Sequence, residues 1–252
     1  MREKNVRKVK FINNEYYHIY NRGVDKRLIF NCPKDLNRFF ESMKEFNTID
    51  PIGSIYENHL VKNRNIKNIK QEKKFGSSAS KLFENDKLVE FICYCLNPNH
   101  YHFILQQIVD KGIEKFMHKI GTGYTKYFNE KYKRSGSLCQ GKYKAIHINS
   151  NEYLLHLSAY VNLNYKVHNL EKFGSRATKL FQSSWDEYIF SDNSASRNNK
   201  SENNSNNTFE KDFCEKKIIL DQFKNAIEYK KFAEDSLKRI KENKQIKNFL
   251  LE

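Results

Sequence analysis

The chain has 252 residues, which is enough for one sizeable core with an appendage or for two small domains. Its 19 Phe and 15 Tyr provide apolar surface for a folded core and exclude a wholly disordered chain. The formal net charge of +15 favours a polyanionic partner. Because no apolar run is long enough to cross a membrane, nucleic acid is favoured over a membrane as that partner.

The cysteines are odd in number and scattered along the chain. They are Cys32, Cys93, Cys95, Cys139 and Cys214. Only Cys93 and Cys95 are close together, and no second close pair completes a zinc site. We therefore predict small buried thiols in a reducing, cytoplasmic compartment.

The first half of the chain begins with a predicted strand at 15–23, EYYHIYNRG, which is rich in aromatic and β-branched residues and stops at Gly23. After NCPKD, apolar residues at three- and four-residue spacing predict a helix. The polar and basic residues 61–87 are predicted to form an insertion. A β-hairpin over 88–107 follows, in which NPN at 97–99 supplies the turn.

The second half alternates helix and strand again. A helix from about Gly112 to Lys133, a strand at 142–148 and a helix at 149–170 are predicted, the last capped by Asn149 or Ser150. This order predicts an α+β fold: a ferredoxin-like (RRM-like) antiparallel sheet with helices packed on one face. We predict one domain over 1–191, a disordered linker at 192–208 and a charged helical C-terminal segment at 209–252.

The sequence NPNHYHF contains two histidines that project from the same side of one strand, His100 and His102. On this spacing alone they are either hydrogen-bonded core histidines or two ligands of a metal ion, and the core interpretation is favoured. Tyr160 and Asn164 lie one helical turn apart, and His156 precedes Tyr160 by the same interval. Two imidazoles with an amide oxygen suit Mg²⁺ or Mn²⁺, and a tyrosine beside them could attack phosphorus. From spacing alone, however, an ordinary core tyrosine on an amphipathic helix is the favoured interpretation of Tyr160.

Four segments, in order, resemble the single-tyrosine transposases of the HUH endonuclease superfamily, and the REP-associated tyrosine transposases in particular. They are YYHIYNRGVDKRLIF, NPNHYHF, RSGSLCQGKYKAI and YLLHLSAYVNLNYKV, and the resemblance spans about residues 10–190. It implies that His100, His102 and Asn164 bind the metal and that Tyr160 is the nucleophile. Where the family usually has proline after the asparagine, this chain has Tyr165. This departure allows the helix to continue and leaves Tyr153 and Tyr165 as alternative nucleophiles.

The resemblance also implies a reaction: metal-dependent cleavage and rejoining of single-stranded or hairpin DNA through a 5′-phosphotyrosine, with Mg²⁺ or Mn²⁺ as the cofactor. Some relatives pair their active sites across a homodimer, and others work as monomers. Two alternatives remain open. One is a non-catalytic protein that binds nucleic-acid hairpins on the same scaffold. The other is a replication initiator or relaxase of the same superfamily.

Basic and aromatic residues interleave at 125–134 and 141–147, where lysine and arginine could neutralise phosphates and tyrosine could stack on unpaired bases. Any one of these lysines is compatible with a solvated helix face, but as a group beside a candidate active site they favour DNA binding. With two residues after the first strand, the candidates are Arg22, Lys26, Lys126, Tyr127, Lys131, Lys133, Arg134, Lys142, Tyr143 and Lys144.

Overall fold

The structure of the protein, a computed structural model, describes residues 9–61, 64, 87–167, 180–190 and 213–242. The predicted linker at 192–208 lies outside the described residues, as does nearly all of the predicted insertion at 61–87. The strands are β1 (Tyr16–Arg22), β2 (Val89–Asn97), β3 (His100–Gln107), β4 (Lys144–Ile148) and β5 (Gln182–Ser183). The helices are α1 (Pro33–Glu45), α2 (Gly112–Lys131), α3 (Asn151–Asn162), α4 (Trp185–Ile189), α5 (Lys217–Leu220) and α6 (Ala226–Glu242), with a further helical stretch at 55–61.

The strands form one sheet in the order β4–β1–β3–β2–β5, and every neighbouring pair is antiparallel. Because β1 and β2 are both antiparallel to β3 between them, they run parallel to each other and are joined through α1, as in a ferredoxin-like fold. The α+β class and the antiparallel sheet are thus confirmed. None of the described helices combines the length and hydrophobicity that a membrane span requires.

Helices cover both faces of this sheet. One face carries Tyr17, Ile19 and Phe103, which pack against α1 and α2. The other face carries Cys93 and Ile104, which pack against α3 and α6. The predicted placement of helices on one face only is therefore corrected. The sequence of β2, VEFICYCLN, explains the correction, because a continuous apolar run is typical of a strand that is buried on both faces of a sheet.

Helix α3 begins as predicted and ends earlier than predicted. The Ser150 hydroxyl caps it by accepting a hydrogen bond from the Tyr153 N–H at 3.2 Å. The helix ends at Asn162, because Leu163 leaves the helical region and Asn164–Lys166 form a 3₁₀ turn. The predicted helix over 149–170 is thus too long, and residues 168–170 lie outside the described part of the chain.

The C-terminal helix α6 packs on α3. It buries Tyr229, Ala233 and Leu237 against the face that carries Ile104. Upstream of α5 and α6, Phe213 reaches the opposite core, where its ring contacts Phe91. Residues 213–242 therefore contribute to both cores of the sheet.

A buried carboxylate joins α1 to α2. The Asp35 side chain has no exposed surface and accepts hydrogen bonds from Lys131 Nζ (2.5 Å), Tyr132 OH (2.7 Å) and Tyr127 OH (3.1 Å). Burial by itself would raise the pKa of this carboxyl, but the bonds from Lys131, Tyr132 and the Asn31 N–H outweigh it. As a result the Asp35 pKa lies below its ordinary value.

We expect the ionisation of Asp35 to make the free energy of unfolding fall as the pH drops into the acidic range. Because its pKa is lower in the folded protein than the unfolded value of about 3.9, its charge stabilises the fold above pH ~4, and this contribution is lost as the pH falls further. Asp35→Asn should lower the free energy of unfolding by about 1–3 kcal/mol at pH 7 and by less at pH 3. Urea unfolding at both pH values measures this, with the exposed Asp25→Asn as control. An equal loss at both pH values would contradict the prediction.

Candidate active site

The two histidines of NPNHYHF lie at the start of β3, on the face of the sheet that α3 covers. His100 pairs across the strands with Arg22 and Asn97, and His102 pairs with Tyr20 and Cys95. The strand alternation places both imidazoles on the same side, as the sequence predicts. His102 is 4% exposed, and His100 is only partly buried.

The protonation of His100 follows from its neighbours. Its Nδ1 lies 2.6 Å from the side-chain oxygen of Asn99, which can only accept, so Nδ1 carries a proton. Its Nε2 lies 3.0 Å from a second oxygen, Asn164 Oδ1. One amide contacts both of these atoms, since Asn97 Nδ2 lies 2.7 Å from Asn164 Oδ1 and 3.1 Å from His100 Nε2. An imidazole nitrogen and an amide oxygen, both of which can be metal ligands, therefore lie in contact here.

This arrangement fits the divalent metal that the family resemblance implies. One imidazole nitrogen and one amide oxygen in contact are the mixed donor set that suits Mg²⁺ or Mn²⁺. The other amide atoms, Asn97 Oδ1 and Asn164 Nδ2, are buried without a hydrogen-bond partner in the described structure. Among the described residues no group of three or more His, Cys, Asp or Glu side chains could hold a metal ion. Within the described part of the chain, a metal here would therefore depend on Asn164 as well as on the histidines.

A third histidine, which the sequence analysis missed, contacts His102. His18 Nε2 lies 2.9 Å from His102 Nδ1, and His18 is 3% exposed. Burial lowers the pKa of His18 to about 3, so its imidazole is neutral. The alternation of Tyr16, His18 and Tyr20 along β1 does indicate that these three side chains share one face of the sheet. Only the strand register, however, brings His18 beside β3.

Tyr160 of α3 lies against the histidines. Its ring meets His102 nearly edge-on, with centroids 5.5 Å apart, and lies 6.5 Å from His18. The alternative tyrosines are placed differently: Tyr165 stacks on Phe181 at 4.2 Å, and Tyr153 lies half-buried in the first turn of α3. Tyr160 is only 2% exposed, so a DNA phosphate can reach it only after the side chain has been uncovered.

Residues 59–164 match the model of the family described as "Transposase IS200 like". This match confirms the resemblance to transposases. The transposase segment contains His100, His102 and Tyr160 and ends at Asn164. Among solved structures, the chain is similar to one described as a REP-associated tyrosine transposase bound to a REP hairpin. Sequence identity is 12%, the TM-score is 0.37, and the similarity covers 68% of this chain and 75% of that one. Among curated proteins, none matches.

Three of the candidate DNA-binding residues lie near the histidines of the transposase segment. Arg22 pairs with His100 in the sheet, and its Nε donates to Gln140 Oε1 at 2.6 Å. Lys144 pairs with Tyr20, and its Nζ lies 5.9 Å from the centre of the Tyr20 ring. Lys26 lies in the turn after β1, where its carbonyl accepts a hydrogen bond from Asn99 at 3.4 Å.

The other candidates are not brought to the histidines by the described contacts. Helix α2 packs on the opposite face of the sheet, and its last turns, with the residues after them, carry Lys126, Tyr127, Lys131, Lys133 and Arg134. Tyr127 and Lys131 bind the buried Asp35, and Arg134 donates to Asn129 in the last turn of α2 and to the Ser137 carbonyl. Lys142 is exposed before β4, while Tyr143 packs against the core on the α2 side. Their role in DNA binding stays a prediction.

His156, one turn before Tyr160, serves a different contact. Its Nδ1 lies 3.1 Å from the Ser236 hydroxyl, and its ring lies 5.0 Å from that of Phe232. Both partners belong to α6, so His156 attaches the C-terminal helix to α3. The described contacts do not place it beside His100 and Asn164.

A second attachment of the same two helices passes through Tyr229. Its hydroxyl lies 3.1 Å from Ser158 Oγ and accepts from Asn162 Nδ2 at 2.9 Å, all of them buried. Asn162 Oδ1 in turn accepts from Ser184 Oγ at 2.6 Å. The network therefore holds the end of α3 between α6 and the segment that precedes α4.

We expect Tyr229→Phe to lower the free energy of unfolding by about 1–3 kcal/mol, because it removes the two buried hydrogen bonds that the Tyr229 hydroxyl makes with Ser158 and Asn162 of α3. Urea denaturation followed by far-ultraviolet circular dichroism measures the loss. Tyr56→Phe is the matched control, since Tyr56 is 71% exposed and should change stability little. Equal stability of the two variants would contradict a structural role for the Tyr229 hydroxyl.

Proposed function

We propose that this protein is a single-tyrosine transposase that cleaves and rejoins single-stranded or hairpin DNA with the help of a divalent metal ion. The observation that carries the proposal is the meeting of four side chains from β3, α3 and the turn after α3. They are His100, His102, Tyr160 and Asn164, and all four fall within the segment that matches the transposase family.

The phenolic oxygen of Tyr160 is the proposed nucleophile. It attacks the phosphorus of the scissile phosphodiester, and the bond from phosphorus to the 3′ oxygen breaks. The phenol releases its proton to solvent and the leaving 3′ oxygen takes one up to become a 3′-hydroxyl, so the step consumes no net proton. The DNA stays attached through a 5′-phosphotyrosine. Attack by another 3′-hydroxyl reverses the step. Because the phosphodiester energy is retained in the tyrosyl link, rejoining requires no nucleotide cofactor.

The proposed ligands of a divalent metal are the ring nitrogens of His100 and His102 with Asn164 Oδ1. When bound, Mg²⁺ or Mn²⁺ would polarise the scissile phosphate and stabilise the charge that develops on its oxygens. The protein itself contributes orientation. Asn99 fixes the proton of His100 on Nδ1, and Asn97 holds the oxygen of Asn164 beside His100.

The proposed DNA site surrounds these residues. Arg22 and Lys144 lie on the same face of the sheet, one beside His100 and the other beyond Tyr20, where they could neutralise backbone phosphates. The excess of positive charge over the whole chain supports the same partner. The hairpin form of the substrate follows from the resemblance of the four sequence motifs to REP-associated tyrosine transposases.

A binding-only protein on the same scaffold is the second candidate. The observation in its favour is burial, since Tyr160 is 2% exposed and Asn164 has no exposed surface. A protein that only holds hairpins would need no access to either side chain. The two candidates therefore differ in one measurable respect, which is whether Tyr160 becomes linked to DNA.

The deciding experiment incubates the purified protein with labelled single-stranded hairpin oligonucleotides from the flanks of its own gene. Reactions contain Mg²⁺, Mn²⁺ or a chelator, and a denaturing gel detects a covalent protein–DNA adduct. A metal-dependent adduct is the expected result. Hairpin binding in a gel-shift assay without an adduct under any metal would favour the binding-only protein.

A further inference from the structure

The contact between His18 and His102 is an in-plane hydrogen bond. The two rings are only 18° from parallel, and their centroids are 5.1 Å apart. His18 Nε2 and His102 Nδ1 are 2.9 Å apart. With the ring centres 5.1 Å apart, both nitrogens must lie almost on the line between the centres, so the rings meet edge to edge. Both side chains are at least 96% buried, so water does not compete effectively for this bond.

One proton lies between these two nitrogens and belongs to one of them. Which nitrogen carries it decides whether Nε2 of His102 can bind a cation. If His18 donates, a neutral His102 carries its own proton on Nε2, and that nitrogen cannot bind a cation. If His102 donates from Nδ1, its Nε2 carries no proton, and an unprotonated Nε2 is a nitrogen that can bind a metal ion. The same logic already holds for His100, whose Nδ1 proton is fixed by Asn99.

We infer that His18 is a positioning residue that accepts the Nδ1–H of His102 and so presents the lone pair of His102 Nε2 to a divalent cation. The inference rests on the proposed function, because it assumes that His102 binds the metal. His18 acts through His102 and does not itself touch DNA or the metal. Partners of this kind typically change metal affinity by about 10- to 100-fold.

Packing is the competing role for His18. Its ring lies 4.9 Å from that of Tyr20 and 6.5 Å from that of Tyr160, so any substitution also changes an aromatic cluster. Two variants separate the roles. His18→Gln can place an amide oxygen near the position of Nε2 and accept the same hydrogen bond. His18→Leu fills a similar space and has no acceptor.

The first test is isothermal titration of Mn²⁺ into the full-length wild type and both variants, with circular dichroism to check folding. We expect His18→Leu to bind Mn²⁺ at least about tenfold more weakly than wild type, and His18→Gln within about threefold of it. Wild-type affinity in His18→Leu, or an equal loss in both variants, would overturn the inference while leaving the metal site intact. If the wild type binds no Mn²⁺, the metal dependence in the proposed function fails, and the inference fails with it.

The second test reads the tautomer in the metal-free wild type and does not require any variant to bind metal. Nitrogen-15 spectra of the imidazoles, assigned by single histidine substitutions, distinguish protonated from unprotonated ring nitrogens. The expected result is a protonated Nδ1 and an unprotonated Nε2 on His102, with an unprotonated Nε2 on His18. A proton on His18 Nε2 would overturn the inference even if Mn²⁺ binds.

Discussion

Tyr160→Phe should abolish formation of the covalent protein–DNA adduct, by at least about 10³-fold in rate, while hairpin affinity stays within about twofold of wild type. The substitution removes only the phenolic oxygen. The ring that packs against His102 is kept, so the fold and the proposed metal ligands should keep their positions. The measurement is the adduct assay on a denaturing gel, combined with a gel-shift titration of the same hairpin.

Tyr153→Phe and Tyr165→Phe are the matched controls, because they remove the same atom from tyrosines on or just after the same helix. We expect both to form the adduct within about tenfold of the wild-type rate. If Tyr160→Phe forms the adduct normally and Tyr165→Phe does not, the nucleophile is Tyr165, and α3 must rearrange during the reaction. Adduct formation in all three variants would exclude a nucleophile among these tyrosines.

The strands and helices of the transposase segment could be predicted from local patterns. The strand β3 was predicted with its observed bounds, because NPN supplies the turn and HYHFILQQ is rich in β-branched and aromatic residues. The side-chain alternation that puts both histidines on one face followed directly from that strand. Local periodicity was sufficient wherever one element alone determines which way a side chain points.

Contacts between elements could not be predicted in this way. Asn164 lies in the turn after α3, and its buried side chain contacts His100 and Asn97 from another part of the chain. The role of His18 depends on the register of β1 against β3, which no spacing within either strand specifies. Lys131 fitted a DNA-binding pattern, yet in the structure it binds the buried Asp35.

The C-terminal helix shows the same limit. Ile227 fits the apolar pattern of this segment, but it is 77% exposed. The buried position is taken by Tyr229, which the apolar pattern did not select because its hydroxyl is polar. That hydroxyl is hydrogen-bonded to Ser158 and Asn162, which makes its burial compatible with the core. An amphipathic pattern therefore predicted the helix but not the residue that attaches it.

The proposed metal site leads to a second prediction with a large expected effect. His100→Ala should weaken Mn²⁺ binding by at least about 100-fold and reduce the adduct to the level seen with a chelator. Asn164→Leu should behave similarly, since leucine has nearly the same size and lacks the oxygen that lies 3.0 Å from His100 Nε2. His147→Ala is the matched control, because His147 is an exposed histidine of β4 that pairs with Glu15 on the other side of the sheet from His100.

Thermal unfolding provides a readout of this site that is independent of DNA. A ligand that binds only the folded state at 100 times its Kd adds about 2.7 kcal/mol, which corresponds to a rise in Tm of roughly 5–10 °C for a chain of this size. We expect Mn²⁺ to produce that rise in the wild type and in His147→Ala, and not in His100→Ala or Asn164→Leu. An equal rise in all four proteins would place the metal elsewhere. His100 and Asn164 would then be hydrogen-bonded core residues, held together by Asn97 and not by a shared cation.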